Sequence, residues 1–182
     1  MTRGIAFAIF LFGGMFISEI ETSPNLPPQM QRFPQSLAGD WSIEFTVNPT
    51  EALPKGGIGH GDEVGKPGPG GLSFIEEYRS VGDEGEITGS GVYWWDEHLN
   101  RIQVLWCANY LLSGCEIMSE GASWEDDRLI LKNRWESAGR THFVKEVFSD
   151  ISATSFTQTI FQGESFEKLK PVYVFHAKRK PG

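Results

Sequence analysis

Basic clusters are nearly missing from this sequence of 182 residues; the longest is Lys178, Arg179 and Lys180 near its far end, against a formal net charge of −8. An acidic chain with its lysines and arginines scattered offers no electrostatic footprint for a phosphate backbone, so nucleic acid is excluded as a partner class. The short signatures of common chemistries are missing as well: there is no Gly-x-Ser-x-Gly, no His-Glu-x-x-His, no Cys-x-x-Cys and no Gly-x-x-x-x-Gly-Lys. His60, His98, His142 and His176 lie far apart. The run His60-Gly61-Asp62-Glu63 holds ligating atoms, but it sits among glycines where nothing fixes geometry, so no metal and no cofactor is assigned. Cysteine is limited to Cys107 and Cys115. No helical period longer than two turns runs anywhere beyond the first residues.

What is present begins with an address. Arg3 precedes GIAFAIFLFGGMFIS, an apolar run without charge until Glu19, short for a membrane span and right for the core of a secretory signal. Residues 1–23 are therefore read as a signal peptide with a weak cleavage site, or an N-terminal anchor. Export to the periplasm or the outside follows, with a cytoplasmic location as the alternative, and no stable membrane span is expected once a signal is removed. Residues 24–36 carry several prolines, which fix φ and remove donors; they are expected to form a linker ahead of a domain over 37–180.

That domain reads as strands. In LAGDWSIEFTV, residues 37–47, Gly39, Trp41, Ile43, Phe45 and Val47 alternate with Asp40, Ser42, Glu44 and Thr46, the pattern of a half-buried strand. Eight further segments follow at 72–81, 86–96, 101–108, 113–125, 128–137, 140–150, 152–162 and 170–180, joined by tight turns. Residues 50–71 break the series, rich in Gly and Pro and without periodicity; they are expected to be a long loop able to act as a lid. Hairpin following hairpin, without crossovers long enough for parallel pairing, implies an all-β antiparallel up-and-down barrel of 8–10 strands. Six Trp and thirteen Phe are available to fill or line it.

The succession of LAGDW, FIEEY, GVYWWDEHLNR, Trp106 and Asn109, MSEG at 118–121, and a last strand ending in Lys178-Arg179-Lys180 resembles the bacterial domain-of-unknown-function family numbered 1579, over about 140 residues from Leu37 to Lys180. Gly39-Asp40-Trp41 also resembles the Gly-x-Trp that opens lipocalin-like, calycin-type barrels. That resemblance implies a Trp plugging one barrel end beneath a basic residue of the last strand, here Trp41 and Arg179. It implies no assigned reaction. The Gly/Pro stretch and the two cysteines depart from the family's pattern.

Parity then selects candidate luminal residues. Phe74, Glu76, Tyr78 and Ser80 share a face with Leu72, which makes Glu76 a buried acid in need of a partner. Tyr93 and Trp95 share a second face, Ile102, Val104 and Trp106 a third, and Leu129, Leu131, Asn133 and Trp135 a fourth. The proposed ligand-binding set is Glu76, Tyr78, Tyr93, Trp95, Trp106, Asn133 and Trp135. His176 has the opposite parity to Tyr173 and Phe175, which argues against haem ligation from the last strand. Cys107 and Cys115 fall opposite each other if a hairpin centres on Leu111, so a disulfide is possible; two reduced thiols are the alternative. Two functions fit: a lumen binding a small apolar or amphipathic ligand, or a filled barrel serving as a structural or protein-interaction module. An enzyme using Glu76 as acid or base is a third reading. The oligomeric state is not legible.

Overall fold

The computed structural model describes residues 26–181 apart from positions 52 and 138. The expected signal segment, 1–23, lies outside the described residues. Eleven strands follow one short helix: β1 Gly39–Val47, β2 Gly57–Pro67, β3 Ser73–Gly82, β4 Gly85–Asp96, β5 Arg101–Ala108, β6 Cys115–Ile117, β7 Gly121–Glu125, β8 Arg128–Ser137, β9 Arg140–Ser149, β10 Ser155–Gly163 and β11 Leu169–Arg179, after α1 Pro28–Ser36. All pairings are antiparallel, and all join neighbours in sequence apart from β1 with β11 and β5 with β7. β6 and β7 lie along one edge of β5 as two pieces of a single strand, and β4 pairs the opposite edge. The sheet thus closes on itself as a ten-stranded antiparallel barrel, which leaves no unpaired edge.

β1 shows why the chain folds this way. Trp41, Ile43, Phe45 and Val47 are buried and the residues between them exposed, so the two-residue period of the sequence becomes the inside and outside of the barrel wall. All nine strand segments read from the sequence are present, the fifth of them broken into β6 and β7.

Two expectations fail. The Gly/Pro stretch 50–71 is not one long loop: β2 occupies its middle and pairs with β1 from Gly39↔Gly65 to Val47↔Gly57 and with β3 from Gly59↔Gly82 to Pro67↔Phe74. A lid over 54–71 is therefore ruled out. Glycine has low strand propensity, but here rings borrowed from other strands fill the inner face. The Phe45 ring lies where a side chain on Gly59 would go, and a Cβ on Gly65 would come 2.6 Å from Phe74 Cζ. The apolar half of the alternation is supplied by neighbours, so the periodicity is invisible in β2 itself.

The second failure is the linker. Residues 28–36 of that Pro-rich segment form α1, with Pro28 at the first helical position, where the missing N–H would be unpaired in any case. Met30, Phe33 and Leu37 fall at the i, i+3, i+7 spacing of one helix face, and all three are buried. The Phe33 ring packs against those of Phe74, Tyr93 and Trp124 at centroid distances of 5.5, 5.0 and 5.7 Å. Burying a side chain of this size contributes about 2–3 kcal/mol. α1 is a plug in one end of the barrel.

Candidate functional site

The plugged end is solid. Trp41 is wholly buried, donates its Nε1–H to Leu37 O at 3.0 Å and meets the Phe156 ring edge-on at 4.9 Å. The Arg179 guanidinium lies 4.1 Å from the centre of the Trp41 ring and donates to Ala38 O at 2.8 Å and Ala153 O at 2.6 Å. β1 and β11 place this pair directly opposite, Trp41↔Arg179, so the latch expected from the Gly-x-Trp resemblance is formed. A cation–π contact of this kind is worth roughly 0.5–2 kcal/mol.

Above the plug the inner wall turns acidic. Glu76 of β3, expected to point inward, is 7% exposed and accepts a hydrogen bond of 2.6 Å from the Tyr93 hydroxyl. Two further acids share the interior. Glu63 of β2 stands between Trp41 and Tyr78 in register and is 2% exposed. Glu146 of β9 stands between Leu131 and Ile160 and accepts a hydrogen bond of 2.8 Å from Gln158. Burial raises the Glu63 carboxyl well above the usual range, with the charges of Glu76 and Glu146 adding to the effect. Burial raises Glu76 too, although the Tyr93 hydrogen bond opposes it. Glu146 is pushed up to about 7 by burial first and by Glu76 next. The rise of each reports a charge held away from water without a cation beside it.

Ion pairs do not relieve them. The salt bridges among the described residues, such as Lys66 to Glu77 and Arg79 to Glu86, lie on the outer surface and include none of the three acids. Below the rim, inward strand positions carry no lysine or arginine until Arg179 at the plugged end, whose hydrogen bonds are already committed. On the same wall the Ser80 hydroxyl is 2% exposed and unpartnered; it comes near the Tyr78 hydroxyl without completing a hydrogen bond. Burial pushes Tyr78 up to about 12.

Toward the far end the interior loosens. Tyr78, Trp106, Glu146, Gln158, Ile160 and Tyr173 have inward parity yet retain accessible surface. Glu146 is the telling case, deep enough for desolvation to dominate its ionisation and still in contact with open space. A ten-stranded barrel is wider than the eight-stranded kind that side chains just fill, and these inward side chains of the unplugged half are only partly buried. The rim is organised by polar contacts. Asn133 donates to Glu116 at 3.0 Å and accepts from the Ser119 N–H at 3.0 Å, the Trp106 indole donates to the Tyr110 hydroxyl at 3.0 Å, and Tyr173 donates to Glu84 at 2.8 Å. Tyr110 sits on the turn between β5 and β6, where Cys107 and Cys115 are directly opposed and bonded as a disulfide. The stapled turn stands beside the mouth, and so does the β1–β2 connection at the start of the Gly/Pro stretch, since Val47 pairs with both Tyr173 and Gly57.

Of the seven ligand-binding candidates, Glu76, Tyr78, Tyr93, Trp106 and Asn133 face the interior. Trp95 also points inward but packs against the core at the plugged end. Trp135 is displaced further, to the rim; it is 36% exposed and stacks on His142, its cross-strand partner, with centroids 5.3 Å apart. Leu72, grouped with the inward face of β3, is 48% exposed because it ends the turn Pro69–Gly71 ahead of the strand. His176 points outward as its parity requires. It and His60 flank Glu44 on the outer face, although no group of three metal ligands comes together among the described residues. Glu146 and Gln158 went unnoticed in the sequence, where the alternation Val144, Glu146, Phe148 and Phe156, Gln158, Ile160 carried the signal. Glu63 had none, since its strand was not legible.

No protein-family model and no curated protein matches the chain. Solved structures do. The S-type phycobiliprotein lyase CPES from Guillardia theta superposes with a TM-score of 0.56 at 10% identity, over 85% of this chain and 94% of that one. Two proteins bound to DFHBI align more loosely: the redesigned β-barrel mFAP1 with a TM-score of 0.43 at 17% identity, over 81% of this chain and 99% of its own, and EF1p2_mFAP2b with 0.44 at 14%, over 84% and 99%. The likeness to the lyase establishes a shared barrel fold.

Proposed function

We propose that this protein holds a small amphipathic ligand in the unplugged half of its barrel, entering beside the stapled turn at the mouth. The observation that carries the reading is Glu146, an acid lodged deep in the interior that nonetheless borders accessible space. A solid core has no use for such a group, because burying a carboxyl without a cation is costly and an apolar residue of similar size packs better. A binding site does, since apolar walls with few fixed polar groups are its usual composition. Tyr78 and Trp106 supply the apolar contact, and Glu76, Asn133 and Gln158 the polar points. The disulfide supports an oxidising compartment and so agrees with export through the apolar N-terminal run, and the ordered motifs from LAGDW onward support kinship with family 1579.

Native mass spectrometry of protein purified gently from its own host tests the proposal. The expected result is a bound small molecule that the variant Ile160→Trp, which fills the unplugged half, no longer retains. Recovery of the bare chain from both proteins counts against it. A second reading, an interaction module acting through its surface, is favoured by the exposure of Tyr110, Leu112 and Ile117 on and next to the stapled turn. Replacing Leu112 and Ile117 with Ser separates the two, since loss of a protein partner with the small molecule retained supports the module.

A further inference from the structure

We propose that the luminal ligand carries a positively charged nitrogen on an apolar or aromatic body, and that Glu63, Glu76 and Glu146 receive that head. The inference rests on the luminal reading above and names the chemical class it selects. Three acids from β2, β3 and β9 face one interior, close enough for the charge of Glu76 to bear on both others and that of Glu146 on Glu63. Their hydrogen bonds are few. Glu76 has the Tyr93 hydroxyl and Glu146 the Gln158 amide, while among the described residues neither a hydrogen bond nor an ion pair reaches Glu63, although it is almost wholly buried. The Ser80 hydroxyl is likewise buried and unpartnered, one diagonal step from Glu63 across the β2–β3 register. A carboxylate and a hydroxyl without donors suit a ligand that brings its own N–H groups.

Charge settles the sign. With no inward lysine or arginine on the described strands between the rim and Arg179, an anionic head would meet three acids and no counter-charge, and a neutral head would leave each acid to hold its proton. A protonated amine or amidine is accepted differently: one carboxylic acid releases its proton to solvent, and the resulting carboxylate pairs with the incoming cation. The aromatic faces of Tyr78 and Trp106 suit both its apolar body and its charge.

The test uses three probes with the same eight-carbon tail, octylammonium, 1-octanol and octanoate, titrated into the full chain by calorimetry and by ligand-observed NMR below their aggregation concentrations. Octylammonium is expected to bind at least about tenfold tighter than octanol, with octanoate weakest. The double variant E63Q/E146Q is expected to bring octylammonium down to the level of octanol and leave octanol unchanged. E86Q on the outer face, which removes the same kind of charge from the surface, is expected to alter neither and so excludes general attraction to an acidic protein. Both substitutions conserve shape, and an unchanged thermal transition confirms folding. Equal binding of octanol and octylammonium, or tightest binding of octanoate, overturns the assignment of a cation while the luminal reading stands. Failure of all three probes to bind the folded barrel overturns the luminal reading and this inference with it.

Discussion

The same strands build two different ends. Toward the helix, Phe33, Trp41, Phe74, Phe148 and Phe156 are all at most 2% exposed, their rings meet at 4.9 to 6.1 Å with Tyr93 and Trp124 among them, and the one inward cation, Arg179, is spent on Trp41 and two carbonyls. Toward the mouth the inward positions include Glu146, Gln158, Ile160 and Tyr173, none of them fully buried. The plugged end is organised for stability and the open end tolerates uncompensated acids that cost stability. Such a division is expected of a domain that closes one end in order to leave the other available.

The largest effect should come from unplugging the barrel. Phe33→Ala removes a wholly buried ring from the α1 interface, and urea denaturation should show a loss of about 3–5 kcal/mol. A loss below about 1 kcal/mol would mean that α1 merely rests on the barrel, and the contrast between the two ends would disappear.

Acidity at the open end gives the next effect, with a determined sign. Glu146 is raised to about 7 when folded, above its unfolded value near 4.3. The folded state therefore binds the extra proton. Stability from this group is fully present below about pH 4 and is lost as pH rises from there through about 7. A tenfold change in proton affinity between the folded and unfolded chain corresponds to about 1.4 kcal/mol, and since Glu146 keeps some contact with water the loss should reach about 2–3 kcal/mol. Denaturation midpoints followed from pH 4 to 8 should fall for the wild type and fall less in Glu146→Gln, where the raised Glu63 and Glu76 still act. Parallel curves would show that the acid is as well solvated as a surface carboxylate.

The disulfide sharpens the comparison from another side. It closes a loop of eight residues in sequence separation, so the chain-entropy relation gives about 2.5 kcal/mol for the C107S/C115S variant. The same variant should loosen ligand retention more than Phe33→Ala does for an equal loss of stability, because the turn it frees carries Tyr110 at the mouth. Trp135→Ala should matter least, at about 0.5 kcal/mol or less, since the ring is at the rim and stacks only on His142. A loss above about 2 kcal/mol would place Trp135 inside after all.

Much of this was legible because β1, β3 and β11 bury one face more than the other, and a period of two survives in the letters. The inward Glu76 followed from parity, and the Trp41–Arg179 latch from the Gly-x-Trp resemblance. β2 was illegible for a physical reason, since Phe45 and Phe74 fill the inner surface that its glycines leave empty, and the apolar signal sits in other strands. α1 was hidden by its prolines: Pro28 costs little at the first helical position, while Pro34 stands inside the last turns, where a proline argues against a helix. Trp95 and Trp135 were assigned the right face and the wrong depth: parity gives direction across the wall, while height along the axis depends on strand register and tilt, which no single strand encodes.

A carboxyl carbon NMR titration of the ligand-free protein tests the acid-lined interior most directly. Glu63, Glu76 and Glu146, identified one at a time by Gln substitution, should titrate above every surface carboxylate, with Glu146 near about 7 and moved downward when Glu76 is neutralised. Ordinary carboxylate values for all three, each independent of the others, would contradict the account.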